Sequence, residues 1–351
     1  ERRGGQRQCL LLHQGLLNAK IDSTLISSSR GALSKMGAAN SLSIDFTSEL
    51  SPLGVYRIAK ALKKICPDIV HSHDAHSLTP LLVLKFLGGK FELVHTRRVD
   101  FRINTLKKYD NSYVNLAAIS EGVRRVLREC GVKRDIALIY SGTPIPAPVS
   151  KEVVEVEKAA LGVDGVGAVF GTTAAFAPHK DFPTMLKAFK QYLLSGAKGK
   201  LLLVGGGDGY AETAALAKEL GIAENTIFTG FKDDVRKYLK CMDVYLATSN
   251  AEGLNTSIID AMHMGLPIAA SRVGGIPELV KDGENGLLVE VGDYKGFALA
   301  MRKLSENPEL RSNFSKASVE YAKNFTDIKM VNGYIQMYEN LMANKKSSGQ
   351  Y

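Results

Sequence analysis

The sequence predicts an α/β protein built as two doubly wound parallel-sheet domains, and three observations carry that reading. Short apolar runs of strand length alternate with longer stretches of helical period, the order expected of strand–helix–strand units and hence of parallel sheets. Those runs end repeatedly in Gly, Pro, Ser or Asp, as strand ends and helix caps do. The length, 351 residues, exceeds what one core ordinarily holds and fits two domains of about 150 residues each.

Gly4 and Gly5 precede QRQCLLLHQGLLNAK, a predicted helix with an apolar stripe through Leu10, Leu11, Leu16 and Leu17. A glycine pair entering a helix suits a turn whose backbone approaches phosphate. No strand precedes the pair, so the expected first strand is missing from the sequence as it stands. Strands are expected at 23–26, 42–46 and 68–72, with a helix over 52–65. The 68–72 strand runs into HSHDAHS, bringing His71, His73, Asp74 and His76 to its carboxyl end. Alternation along a strand sends His71 and His73 to the face opposite Ser72 and Asp74, which argues against a metal cluster. A strand at 91–96 ends in Thr96-Arg97-Arg98; one at 115–120 leads into a helix at 121–130; one at 136–141 ends the first domain before Pro144, Pro146 and Pro148. The domains are accordingly placed at 1–147 and 148–326, with 327–351 forming a return helix (327–342) and a polar, disordered tail.

The second domain opens with a strand at 167–175, then Lys180 and a helix from about Pro183. Strands follow at 201–204, ending in GGGDGY, at 226–228, leading to Gly230 and Phe231, and at 243–248. From there NAEGLNTSIIDAMHMGLPIAASRVGGIPE places Glu252 at a strand's carboxyl end, where open parallel sheets bind ligands. A helix is expected from Asn255 or Thr256, a strand at 268–270, a helix from Pro277, a strand at 286–290 and a helix opening at Asp293. Asp260 follows Glu252 by eight residues, so both acids are predicted to address one long ligand. The first-turn N–H groups of that helix, with Gly253 and Leu254, can meet an anion or sugar hydroxyls.

Residues 1–150 hold 22 Lys and Arg against 12 Asp and Glu, and the rest of the chain is nearly balanced, so the net +9 resides in the first half. That asymmetry fits an anionic partner, such as a phosphorylated glycan or an acidic membrane leaflet, as well as a merely solubilising surface. No binding motif accompanies the charge, so nucleic acid is not expected. Cys9, Cys66, Cys130 and Cys241 are widely spaced and read as reduced thiols of a cytoplasmic protein. No apolar run has the length a membrane span needs.

The stretch from Glu252 to Glu278 resembles the retaining glycosyltransferases of family 4 (glycosyl transferases group 1). Their signature is Glu, seven residues, Glu, then Ala-Met, Gly-x-Pro and a Gly-Gly-x-x-Glu turn. The second acid here is Asp260. The resemblance implies the GT-B fold, two Rossmann-like domains facing a cleft. It implies Glu252 and Lys180 as catalytic residues. It also implies donor contacts from Gly4, Gly5, Gly230, Phe231, Gly253, Leu254, Asn255 and Asp260, with Arg98, His73 and Asp74 on the acceptor side. Arg98 stands where the family often has His, and Ala175 where it usually has Arg.

The implied activity is transfer of a sugar from a nucleotide-diphosphate sugar to a glycan or lipid-linked hydroxyl, in lipopolysaccharide or other cell-surface polysaccharide synthesis. No metal or other cofactor is expected. The expected location is cytoplasmic, with peripheral contact at the inner face of the membrane. A nucleotide-sugar epimerase of the same fold and a non-catalytic nucleotide-sugar-binding relative are the rival readings. A dinucleotide oxidoreductase is disfavoured, because no first-strand GxGxxG is present.

Overall fold

A computed structural model of the chain describes residues 4–31, 33–45 and 51–347. It divides into two compact units: the first runs to Gly142 and resumes at Thr326, and the second is Thr143–Phe325. The boundaries therefore fall at Gly142 and Thr326, and the three prolines lie inside the second unit.

The first unit contains α1 (Gly4–Asn18), β1 (Leu25–Ser28), β2 (Ser41–Ile44), α2 (Pro52–Ile65), β3 (Ile69–Ser72), α3 (Ala75–Phe86), β4 (Glu92–Arg97), β5 (Val114–Ala118), α4 (Glu121–Glu129) and β6 (Ile136–Leu138). Helix starts follow local chemistry. Ser51 caps Gly54 N–H ahead of Pro52, Asp74 caps Ser77 N–H at 2.8 Å, and Ser120 caps Val123 N–H at 3.0 Å. Strands β1 and β2 pair in parallel as a separate ribbon, and β3–β4–β5–β6 form a parallel four-stranded sheet.

Several expectations need correction. Gly4 and Gly5 form the first turn of α1 instead of a loop ahead of it. The first strand sits at Leu25–Ser28, two residues later than its composition indicates. The end of the expected 42–46 strand lies outside the described residues.

The second unit contains α5 (Lys151–Leu161), β7 (Ala168–Thr173), α6 (Phe182–Leu194), β8 (Gly199–Val204), α7 (Tyr210–Glu219), β9 (Thr226–Phe228), α8 (Arg236–Lys240), β10 (Val244–Ala247), α9 (Thr256–His263), β11 (Ile268–Ser271), α10 (Ile276–Leu279), β12 (Gly286–Val289), α11 (Tyr294–Glu306) and α12 (Pro308–Ala322). Its six strands run parallel in the order β12-β11-β10-β7-β8-β9. The chain moves outward from β7 through β8 to β9, then returns to lay β10, β11 and β12 on the other side. Strand order thus reverses between β7 and β10, and the loops leaving the carboxyl ends of two such strands are where open parallel sheets bind ligands. Phe170, Leu201, Leu203, Val244 and Leu246 fill the core beneath, against Phe189 of α6 and Phe297, Met301 and Leu304 of α11.

The last helix, α13 (Asp327–Ser347), belongs to the first unit. Met330, Val331 and Tyr334 pack with Leu12 and Leu16 of α1. Gly15 permits that approach, since a Cβ there would stand 2.4 Å from Val331. Asn344–Ser347 continue the helix where a disordered tail was expected, and the remaining tail residues lie outside the described range. No described helix is long and apolar enough to cross a membrane. All four cysteines are free.

Candidate active site

The loops leaving β7 and β10 are stitched together. After β7 the chain makes a 3-10 turn over Pro178–Lys180 and then bends at Asp181, whose φ of 48° allows its side chain to cap α6 at Thr184 N–H. After β10, the buried Thr248 donates its hydroxyl to the carbonyls of Lys180 and Asp181, each at 3.0 Å, and Asn250 N–H bonds the His179 carbonyl at 2.9 Å. These bonds hold Lys180 against the segment that carries Glu252.

Glu252 is 9% exposed. Its Oε1 accepts from Lys180 Nζ, from Ser249 Oγ at 3.0 Å and from Asn255 Nδ2 at 3.0 Å. Asn255 also turns its Oδ1 to the N–H groups of Ser257 and Ile258, so one amide both caps α9 and fixes the carboxylate. The Glu252 carbonyl accepts Gly275 N–H at 3.0 Å, which ties the Gly-Gly turn ahead of α10 to the same loop. A carboxylate held by a cation and two neutral donors is fixed in one orientation. Such a group can position hydroxyls and stabilise developing positive charge.

The glycine turn after β8 closes the neighbouring wall. Gly205 N–H bonds the Gly230 carbonyl at 3.0 Å, and Phe176 N–H bonds the Gly206 carbonyl at 2.9 Å. Gly205 has φ of +151°, and a Cβ there would fall 1.9 Å from the Ala174 carbonyl oxygen, so no other residue fits. Phe231, beside this turn, is exposed, as is Ala175. Gly253 and Leu254 are buried beside Glu252, and Asp260 is half-buried in the second turn of α9. A cavity of about 460 Å³ lined by Gly167, Tyr192, Asp243 and Arg311 lies at the opposite, amino-terminal end of this sheet and shares no residue with the set.

In the first unit the residues expected on the acceptor side also gather at carboxyl strand ends. Arg98 Nη2 donates to His73 Nδ1 at 3.0 Å, and Arg98 Cδ would be 3.5 Å from a Cβ on Gly5. Asp74, exposed, caps α3. The rings of His71 and His73 lie 4.0 Å apart, on one side of the strand as alternation requires. His71 stands 2.7 Å from Thr96 Oγ1 and 2.5 Å from Tyr338 OH, and Thr96 in turn contacts Tyr334 OH at 2.9 Å. Burial, with Arg98 nearby, holds the His71 imidazole well below its ordinary range; burial, His71 and Arg98 do the same to His73. Burial and Arg97 lower His95 to about 3. Among the described residues no three His, Cys, Asp or Glu side chains converge as a metal site requires.

Sequence reasoning did not find Thr248, Ser249, Tyr334 or Tyr338. Ser249 and Asn255 stand three residues either side of Glu252, a symmetric polar bracket that was visible. The tyrosines left no local signal.

The family described as Glycosyltransferase Family 4 matches residues 2–145, and that described as Glycosyl transferases group 1 matches residues 153–321. The chain is 27% identical over 286 residues to the lipopolysaccharide core biosynthesis glycosyltransferase LpsE of Rhizobium meliloti, covering 79% of this chain and 81% of that protein. It is 25% identical over 304 residues to the N-acetyl-alpha-D-glucosaminyl L-malate synthase of Bacillus anthracis, covering 83% and 79%. The structure superposes on Anabaena HepE in complex with UDP with a TM-score of 0.84 at 19% identity, covering 98% of this chain and 97% of that one. With both units matched in sequence and the whole chain matched in fold, the protein belongs to the family 4 glycosyltransferases of the GT-B fold.

Proposed function

We propose that the chain moves a sugar from a nucleoside diphosphate sugar to a hydroxyl acceptor with retention of anomeric configuration. The observation that carries this reading is the Lys180–Glu252 pair on the two loops that flank the switch point between β7 and β10. Departure of a nucleoside diphosphate places negative charge on phosphate oxygen and positive character on the anomeric carbon, and this pair supplies one group for each. Lys180, a compact cation on a flexible stem, meets the diphosphate, and no role is assigned to a metal. Glu252, with the N–H groups of Gly253 and Leu254, orients the sugar hydroxyls. Asn255 acts through Glu252, Asp260 accepts from the ribose, and Gly230 and Phe231 border the base. The leaving phosphate takes the acceptor's proton on the same face, so no separate base is assigned.

The fold shared with HepE, solved with UDP, supports a uridine nucleotide as the first donor to try. The naming of LpsE supports a glycan acceptor of the lipopolysaccharide core type. The malate synthase supports a small hydroxy acid as the other class. The basic first half of the chain suits an acceptor presented at an anionic membrane surface.

The test is a time course by NMR with UDP-sugars and candidate acceptors, following the anomeric proton, together with calorimetry of UDP. Transfer that needs an acceptor and yields the same anomer is expected. Conversion of the donor with no acceptor present would mean an epimerase, and UDP-sugar binding without turnover a binding protein. Lys180→Ala is expected to weaken UDP by about tenfold, the loss of one ion contact, and to slow turnover; unchanged affinity and rate would remove it from the site.

A further inference from the structure

Two arginines end β4, and their surroundings differ sharply. Arg97 is buried and fully engaged: Nε donates to the Val99 carbonyl at 3.1 Å, Nη1 to Tyr109 OH at 3.1 Å and Nη2 to the Phe101 carbonyl at 2.8 Å, with the guanidinium over the Tyr109 ring. It shapes the loop that follows β4. Arg98 is half-buried and poorly engaged. Its Nη2 meets His73, its Nη1 makes only a 3.4 Å contact with Ser141 Oγ, and its Nε is buried with no partner.

No carboxylate among the described residues forms an ion pair with Arg98, and Asp74, which follows β3, is turned to the start of α3. The imidazoles around it bring no negative charge, and His71, His73 and His95 are held neutral by burial with Arg98 contributing to each. A guanidinium cannot shed its proton to escape such a setting. A half-buried cation surrounded by neutral groups is costly unless an anion arrives to meet it. The first turn of α1, at Gly5, lies against the Arg98 stem, so the local backbone field favours negative charge as well.

We propose that Arg98, with His73 and Ser141, binds an anionic group of the acceptor, a phosphate or a carboxylate carried near the hydroxyl that receives the sugar. This rests on the transferase reading above. Because His73 Nδ1 accepts from Arg98, its Nε2 carries the proton and offers a further donor. The planar guanidinium presents paired N–H groups to two oxygens of one anion, which a lysine in its place cannot do.

The test titrates the full chain by calorimetry with inorganic phosphate and, separately, with malonate, both with UDP at saturation so that the Lys180 site is filled. Saturable binding of one anion is expected, and the stronger of the two arms assigns phosphate or carboxylate. Arg98→Gln is expected to weaken it at least about tenfold and Arg98→Lys by about threefold, while Lys180→Ala leaves it unchanged. Because Arg98→Gln risks misfolding, both Arg98 variants are compared by thermal melt, and Arg98→Lys, which keeps the charge, carries the conclusion if the first does not fold. Absence of binding in both arms, or equal affinity in a folded Arg98 variant, overturns the proposal. Failure of UDP itself to bind would overturn the uridine donor instead, and the titration is then repeated with the nucleoside diphosphate that does bind, so the two readings fail separately.

Discussion

Glu252→Ala is expected to lower turnover by about a thousandfold or more, the scale of removing a preorganised charge from a transition state, roughly 4 kcal/mol. The carboxylate is 9% exposed, gathers Lys180, Ser249 and Asn255 on one oxygen, and has its own main-chain carbonyl tied to Gly275. Truncation leaves the Lys180 ammonium without its counter-charge, and breaking one side of a buried pair costs about 3–5 kcal/mol before discounting; Lys180's side chain is 17% exposed, so less is expected here. Glu252→Gln separates the two effects. Its amide oxygen still accepts from Ser249 and Asn255, so the loop holds its shape, while the charge is gone. Steady-state transfer rates with thermal melts on both variants make the check. If Glu252→Ala is folded and turns over within about threefold of the parent, the assignment of this acid is wrong.

Acid is expected to destabilise the first unit through His71, His73 and His95. The sign comes from their shifted proton affinities. An unfolded histidine takes up its proton near 6.5. In the fold His71 and His73 take theirs well below that, and His95 near 3. Their contribution is therefore fully present above pH 6.5 and is lost as pH falls from there toward the folded values. Each imbalance adds about 1.4 kcal/mol per pH unit, and three together about 4. His95 alone, at 1% exposure, accounts for about 5 kcal/mol across its whole window. Melting temperatures from pH 7.5 to 4.5 are expected to fall steeply, and His95→Gln to shrink the difference between the two ends. A flat profile from pH 6.5 to 5 would show that these imidazoles are protonated in the fold.

The second unit was legible in the sequence almost residue by residue, and the reason is local. Each strand from β7 to β12 is a short apolar run, and the segment from Asn255 to Glu278 states its own cap, helix end and turn in consecutive residues. Even the meeting of Lys180 with Glu252 could be anticipated, since all strands of a parallel sheet bring their carboxyl ends to one side. The first unit was less transparent. Leu25–Ser28 is half-buried and, among the described residues, paired to β2 alone, so its alternation is weak. Gly4 and Gly5 read as a turn, whereas packing of Leu12 and Leu16 against α13 extends the helix back over them. Asp74 looked like a ligand group, though Asp followed three residues later by Ser77 before an apolar run was also a cap. The His71–Thr96–Tyr334 chain of contacts could not be read at all, because Thr96 and Tyr334 are 238 residues apart.

That return of α13 to the first unit has a bearing on how the chain is made. A ribosome that has reached Phe325 has already delivered every residue of the second unit, a continuous run able to collapse by itself. The first unit, begun earlier, still lacks Met330, Val331 and Tyr334 from the seam that covers Leu12 and Leu16. The portion synthesised first is thus completed last, and its α1 surface stays uncovered throughout translation of the middle of the chain. Pulse proteolysis of a released fragment ending at Phe325 should cut before Gly142 and spare Thr143–Phe325; equal protection of both halves would show that the early portion closes without α13.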